Sequence, residues 1–233
     1  MSEEQKLSLW TRMSRFRFYK PKVSTSNIIK LCKENATDTM TLVVHSEDVK
    51  HGPYFPNAYT VTKRKDKPAD MHVDLYYEDL KNIESESYEV ILCTGLLEHI
   101  PDPQRIIDDF HRILKPGGRL IIGASAVFSF HECPNDFFHF TPFSFKLLFK
   151  KWDRFEMLKG SSMPFKTISI LLQRILIQCD TFPFIRPIVE ALVFILPLFD
   201  KLIYAQYDNY GPRTEDHLID SMLPSNMHAV VVK

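Results

Sequence analysis

Three titratable side chains interrupt an aromatic segment near the middle of the chain. His131, Asp136 and His139 lie in the run His131-Glu-Cys-Pro-Asn-Asp-Phe-Phe-His-Phe-Thr-Pro142. An imidazole beside a carboxylate can accept a proton from a hydroxyl group, because its pKa lies near neutrality. We therefore predict that these residues supply a general base for an acceptor hydroxyl. The structural alternative is that phenylalanines pack the loop and the histidines are surface or capping groups.

The same segment also has the residue types of a metal site. His131, Cys133, Asp136 and His139 all carry atoms that bind zinc. Their spacing matches no strong ligand pattern, and Pro134 stands between them. We therefore assign no metal to the chain from its sequence.

A second polar group directly follows the apolar run Tyr88-Glu-Val-Ile-Leu-Cys-Thr94. Thr94 and Gly95 stand where the backbone at the end of a strand approaches a ligand, and the alternative is an ordinary turn. Glu98 and His99 can line the same pocket, where His99 can take a proton. They can equally orient the loop by hydrogen bonds, so both roles stay open.

The hydrophobic pattern predicts the elements that position these residues. Short apolar runs predict strands at 41–45, 58–62, 71–75, 88–94, 119–123 and 227–232. Apolar residues at helical spacing predict a helix that opens at 101–103 and ends at a turn over 115–118. Strand, helix and strand in this order form a right-handed βαβ unit. We predict an α/β fold with a doubly wound, Rossmann-like sheet, whose ligands bind beyond the carboxyl ends of the strands.

Length and composition fit a single domain with an extension. The 233 residues divide into a helical lead-in (1–40), a core (41–160), an apolar helical insertion or cap (164–207) and a final strand region (208–233). Basic and acidic residues number 29 each, so no nucleic-acid partner is expected. Four dispersed cysteines, with neither signal peptide nor spanning segment, predict a cytoplasmic protein.

Two blocks of sequence resemble the class I S-adenosylmethionine-dependent methyltransferases of the type 11 group. The first comprises Tyr88-Glu-Val-Ile-Leu-Cys, Leu97-Glu-His-Ile-Pro-Asp-Pro103 and Arg112-Ile-Leu-Lys-Pro-Gly-Gly118. The second, 131–142, is similar to a segment of methyltransferases associated with cell-surface polysaccharide biosynthesis. The resemblance covers about residues 40–160. It implies a methyltransferase sheet with a C-terminal antiparallel strand, and O-methylation of a saccharide, glycolipid or other small hydroxyl acceptor.

The resemblance also implies where S-adenosylmethionine binds. The candidate cofactor-binding residues are His45, Ser46, Gly52, Asp74, Thr94, Gly95, Glu98 and His99. Two positions depart from the family pattern. The first loop, 45–52, has one glycine where the family is glycine-rich, and glycine is what lets a backbone approach a ligand closely. The second strand ends in Thr62-Lys63-Arg64 without the family's ribose-binding acid, and Asp66 is the nearest carboxylate.

These departures favour an alternative function. The chain can be a non-catalytic methyltransferase-like scaffold or binding partner that has lost the cofactor, or can hold a different nucleotide-like ligand. The apolar stretch 166–207 bears on both functions. It can be a buried cap over the acceptor side, an interfacial helix pair at the inner face of a membrane, or a contact surface for protein. Arg174, Glu190 and several prolines argue against a spanning helix.

Overall fold

A seven-stranded sheet forms the centre of the molecule. The computed structural model describes residues 23–45, 51–205, 207–208, 211–212 and 222–233. The strands of the sheet are β1 (Thr41–Val44), β2 (Ala58–Thr62), β3 (Met71–His72), β4 (Tyr88–Thr94), β5 (Leu114–Ser125), β6 (Arg154–Gly160) and β9 (Asn226–Val232). Two further short strands, β7 (Tyr207–Asp208) and β8 (Gly211–Pro212), pair with each other.

The strand order is β3-β2-β1-β4-β5-β9-β6, with parallel pairing from β3 to β5. Strand β9 is antiparallel to both β5 and β6. This arrangement confirms the predicted doubly wound sheet with an antiparallel C-terminal strand. The order reverses between β1 and β4, and ligands of such sheets bind at the carboxyl ends of the strands near that point.

Five helices accompany the sheet in the described part of the chain. They are α1 (Thr25–Glu34), α2 (Pro103–Ile113), α3 (Pro142–Leu148), α4 (Pro164–Gln178) and α5 (Arg186–Phe199), with single 3-10 turns at Leu97–His99 and Asp200–Leu202. The side chain of Asp102 caps α2 by accepting a hydrogen bond from the Arg105 amide. Helix α3 begins with a reciprocal capping box between Thr141 and Ser144.

The structure corrects four predicted boundaries. Strand β3 ends at His72 instead of residue 75, because the Asp74 carbonyl accepts amides of the following turn. The predicted turn at 115–118 is an irregular part of β5, where the Gly117 amide donates to the carbonyl of Lys233. Helix α2 begins at Pro103, since Asp102 is its cap. The sequence predicts a helix over 27–33 capped by Ser26, but Ser26 lies inside α1 and its hydroxyl donates to the Val23 carbonyl.

The core holds the central strands rigidly. Strands β1 and β4 are almost entirely buried because helices or loops cover both faces of the sheet. One face packs against α2, through Ile106, Ile107, Phe110 and Ile113. The other face packs against Leu31 and Cys32 of α1 and the loop residue Phe55. The loops that leave the carboxyl ends of β4 and β5 therefore start from fixed points.

Candidate functional site

A cleft of about 600 Å³ lies beyond the carboxyl ends of β2 and β3. It is lined by Lys63 after β2, by His72–Asp74 around the end of β3, and by Asn135 from the loop after β5. Asp74 is exposed at this cleft, and its Oδ1 accepts a hydrogen bond from the Tyr76 amide at 3.3 Å. The cleft thus lies at the carboxyl ends of the parallel strands, where such sheets bind their ligands.

A carboxylate reaches the end of β2 from a distant part of the chain. Glu132, in the loop after β5, accepts hydrogen bonds from Lys63 Nζ at 2.9 Å and from the Tyr76 hydroxyl at 2.5 Å. Burial raises the pKa of Glu132, but the Tyr76 hydroxyl and the Lys63 ammonium outweigh it and lower that pKa to about 2. Asp66 instead forms a solvent-exposed pair with Arg64. No sequence pattern indicates the role of Glu132, because it stands 69 residues after Lys63.

The predicted cofactor residues occupy the ends of three strands. Gly95, after β4, has a φ of +69°, and a Cβ added there would meet no atom within 4 Å. Thr94 is buried at the end of β4, and His45 is buried after β1 with a φ of 52°. Gly52 also borders open space. Ser46 lies outside the described residues.

Glu98 and His99 join the 3-10 turn after β4 to the loop after β5. Glu98 is 1% exposed, and its Oε1 accepts hydrogen bonds from the Ser125 hydroxyl at 2.7 Å and the Ser125 amide at 3.2 Å. Its Oε2 is buried without a hydrogen-bond partner. His99 Nδ1 donates to the Asn135 carbonyl at 2.7 Å, since that oxygen can only accept. Through these hydrogen bonds Glu98 and His99 orient the loop, which is one of the two roles considered for them.

Asp136 lies between the two histidines of its loop. Its side chain is 3% exposed, with Oδ2 3.4 Å from His131 Nδ1 and Oδ1 3.7 Å from His139 Nε2. Oδ2 also accepts a hydrogen bond from the His131 amide. Burial lowers the pKa of His131 below its ordinary value, and the Arg174 guanidinium adds to this, against the opposite effect of the Glu98 and Asp136 carboxylates. The structure brings the three predicted catalytic residues together around one carboxylate.

Helix α4 packs on the same loop. Arg174 Nε donates to the Ser129 hydroxyl at 2.8 Å, and its guanidinium lies 4.9 Å from the centre of the Phe128 ring. Gln178 donates to the Phe130 carbonyl at 2.6 Å. The start of the apolar region therefore covers the loop between β5 and α3.

The comparisons with known proteins agree with this architecture. Residues 54–122, less than a third of the chain, match the type 11 methyltransferase domain family. A ubiquinone biosynthesis O-methyltransferase from Pseudomonas syringae pv. tomato is 44% identical over 43 residues, which span 18% of each chain. The aligned part is thus about a fifth of that relative.

Two solved structures share the overall fold. A SAM dependent methyltransferase from Archaeoglobus fulgidus aligns with a TM-score of 0.50 and 11% identity over 91% of this chain and 92% of that one. The [4+2]-cyclase SpnF aligns with a TM-score of 0.53 and 11% identity, over 88% of this chain and 80% of its own. At such identities the likeness shows the fold alone. The chain has the class I methyltransferase fold, and its middle carries a methyltransferase-domain sequence.

Proposed function

We propose that this protein transfers a methyl group from S-adenosylmethionine to a hydroxyl group of a small acceptor. One observation carries the proposal: a single loop links the cleft to a candidate base. Asn135 lines the cleft, while Asp136 and His139, directly after it, form a carboxylate–imidazole pair. A base placed beside a cofactor cleft is what O-methyl transfer requires of a protein.

The described residues fit the cofactor at several points. Gly95 leaves open space beside the backbone at the end of β4. Asp74 offers an exposed carboxylate after β3, and Glu132 offers one at the end of β2, the position where the family's own acid is missing. We assign Asp74 to the adenine side and Glu132 to the ribose hydroxyls. His45, Gly52 and Thr94 complete the proposed cofactor surface, together with Ser46.

S-adenosylmethionine supplies an electrophilic methyl group on a sulfonium. His139 is our candidate base, because its imidazole is partly exposed and its Nε2 faces the buried Asp136 carboxylate. When bound, S-adenosylmethionine would give this methyl to the acceptor oxygen and keep the electron pair of the broken carbon–sulfur bond, while His139 would take the proton of the acceptor hydroxyl. Correct orientation of the acceptor would supply most of the remaining decrease in activation free energy.

A saccharide or glycolipid acceptor fits the surroundings of the base. Phe130, Phe137 and Phe138 are exposed around His139, and aromatic rings offer apolar faces on which sugars stack. The lipid portion of a glycolipid could contact the apolar outer side of α5. The only charged residues of that helix, Arg186 and Glu190, pair with each other at 3.6 Å and are buried.

The outer side of α5 is correspondingly apolar. Its exposed side chains include Ile188, Leu192, Phe194, Ile195 and Leu198. None of the described helices has the length and hydrophobicity that crossing a bilayer requires. We therefore propose contact with the inner face of a membrane through this side of α5. Contact with another protein is the competing use of the same surface.

Calorimetric titration with S-adenosylmethionine and S-adenosylhomocysteine tests the cofactor assignment. We expect micromolar binding of both compounds, and Asp74→Ala should weaken it without unfolding the protein. Transfer of labelled methyl from the cofactor to a glycolipid extract then tests the acceptor class. Absence of binding and of a thermal shift at millimolar cofactor would contradict the proposal.

A second candidate is a non-catalytic or non-methylating use of the same fold. Lys63 stands where the family has a ribose-binding acid, and the fold is shared with a [4+2]-cyclase. Absence of cofactor binding would favour this candidate. Binding without label transfer to any extract would favour it as well, and would direct the search to a protein partner of α5.

A further inference from the structure

A buried cluster of metal-binding side chains stands next to the candidate base. Glu98, His99 and His131 each place one ligand-type atom within 4.8 Å of those of the other two. Two of them come from the turn after β4 and the third from the loop after β5. Among the described residues this grouping does not include Cys133, Asp136 or His139, which the sequence had suggested as ligands together with His131.

Both histidines of the cluster make their hydrogen bonds through Nδ1. His99 Nδ1 donates to the Asn135 carbonyl, and His131 Nδ1 donates to the Ser129 carbonyl at 3.2 Å. Each bond fixes the proton on Nδ1, which leaves a lone pair on Nε2. Metal-bound histidines have this arrangement, with the other ring nitrogen donating to a carbonyl or carboxylate. Asp136 Oδ2 lies 3.4 Å from His131 Nδ1, so a carboxylate also stands beside this ring nitrogen.

A buried carboxylate oxygen supplies the independent observation. Glu98 is 1% exposed, and its Oε2 has no hydrogen-bond partner, although Oε1 has two. Leaving a buried carboxylate oxygen unpartnered is unfavourable, because the oxygen has lost its water without gaining a donor. A cation at this point would satisfy it.

The dimensions suit a transition metal ion. An ion at the centre of three atoms within 4.8 Å of one another lies at most about 2.8 Å from each. Zinc bonds to histidine and glutamate are about 2.0–2.2 Å long, so side-chain shifts of about 0.7 Å complete the site. Two imidazoles and one carboxylate leave further coordination positions open, as in catalytic sites.

We propose that Glu98, His99 and His131 bind a divalent transition metal ion, with zinc as the best match. The ion would hold an oxygen of the acceptor in an open position and make its hydroxyl more acidic. This role rests on the proposed methyl transfer, whereas metal binding itself does not. Sequence spacing does not indicate this grouping, because Glu98 and His99 lie more than thirty residues before His131.

Titration of the metal-free full chain with zinc chloride alone tests the site. We expect one ion per chain with micromolar or tighter affinity. His131→Ala and Glu98→Gln should each weaken it by at least about 100-fold, since each removes a ligand charge or lone pair. Asp136→Asn should weaken it by about 10-fold through His131. Cobalt in place of zinc should give visible absorption bands that His131→Ala abolishes.

His139→Ala and Cys133→Ser are the matched controls, because both lie in the same loop but outside the cluster. They should retain zinc affinity within about twofold of the parent. His131 is partly exposed, so its replacement tests the site even if a change at Glu98 prevents folding. The proposal is overturned if the parent binds no zinc, if His131→Ala binds it equally, or if either control loses it.

The cofactor titration separates this proposal from the proposed function. Zinc binding without S-adenosylmethionine binding would uphold the metal site and contradict methyl transfer. Cofactor binding and label transfer by a zinc-free protein that does not bind added zinc would uphold methyl transfer and contradict the metal site.

Discussion

The acidic side chains that follow β2 and β3 face solvent, whereas polar side chains that follow β4 or lie in β9 are buried. Asp66 and Asp74 belong to the first group, and Glu98, His99 and His228 belong to the second. The first side forms an open cleft and the second side a hydrogen-bonded interior. We infer that the cleft tolerates sequence change, while the interior fixes the chemistry, because buried polar groups require partners.

The loop over 126–141 is where the two sides meet. Glu132 and Asn135 reach the open side, while His131 and Asp136 reach the buried one. Each side therefore depends on the conformation of one segment. If burial governs their behaviour, the two sides should respond differently to substitution and to pH.

The largest effect should come from the proposed base, His139. His139→Ala should lower methyl transfer by about 10²–10⁴-fold while the affinity for S-adenosylmethionine stays within about twofold, because the residue contacts Asp136 and not the cleft. Transfer of label to the acceptor extract and calorimetry measure the two quantities. Equal transfer by variant and parent would remove His139 as the base.

Acid should destabilise the buried side. Burial lowers the pKa of His228 from 6.5 to about 4, so the unfolded chain binds a proton that the folded chain does not bind between these pH values. This contribution is intact above pH 6.5, and about 3 kcal/mol of stability is lost as the pH falls to 4. His228→Gln should lack that loss in denaturant titrations. His72→Gln, an exchange at the exposed end of β3, should retain it.

The open side should show a smaller change. Glu132→Gln should weaken S-adenosylmethionine binding by about 10-fold, because the ionised acceptor that we propose for the ribose hydroxyls is lost. Asp66→Asn is the control and should leave the affinity unchanged, since the Asp66 carboxylate lies in solvent beside Arg64 and is not among the proposed cofactor-binding groups. If Asp66→Asn is the more damaging change, Glu132 is not the replacement for the family's acid.

The smallest effect should come from one hydroxyl on the buried side. Ser125→Ala removes the donor at 2.7 Å from Glu98 Oε1 but keeps the amide donor at 3.2 Å. We expect a loss of about 1 kcal/mol in the free energy of unfolding, measured by denaturant titration. An unchanged stability would mean that Glu98 does not need the Ser125 hydroxyl, and that the buried side is less constrained than proposed.

The sequence by itself determined the sheet. The buried run from Tyr88 to Thr94 and the amphipathic pattern of α2 predicted both elements, because burial on one or two faces leaves a periodic signal in the chain. The same reasoning failed at 115–118, where glycine and proline indicate a turn but the end of the chain pairs with the segment and extends β5. Hydrophobic periodicity reports which faces of an element are buried, but it does not show which distant segment pairs with that element.

Only the tertiary structure decided which polar groups meet. Asp136 was predicted beside its two histidines because all three lie within nine residues of one loop. The pairing of Glu132 with Lys63, and of His131 with Glu98 and His99, joins residues that are far apart in sequence. These contacts depend on the parallel order of β2, β4 and β5, which brings the carboxyl ends of separate strands to one edge. The spacing of residues along the sequence does not show how close these strand ends are, whereas the order of strands in the sheet determines it.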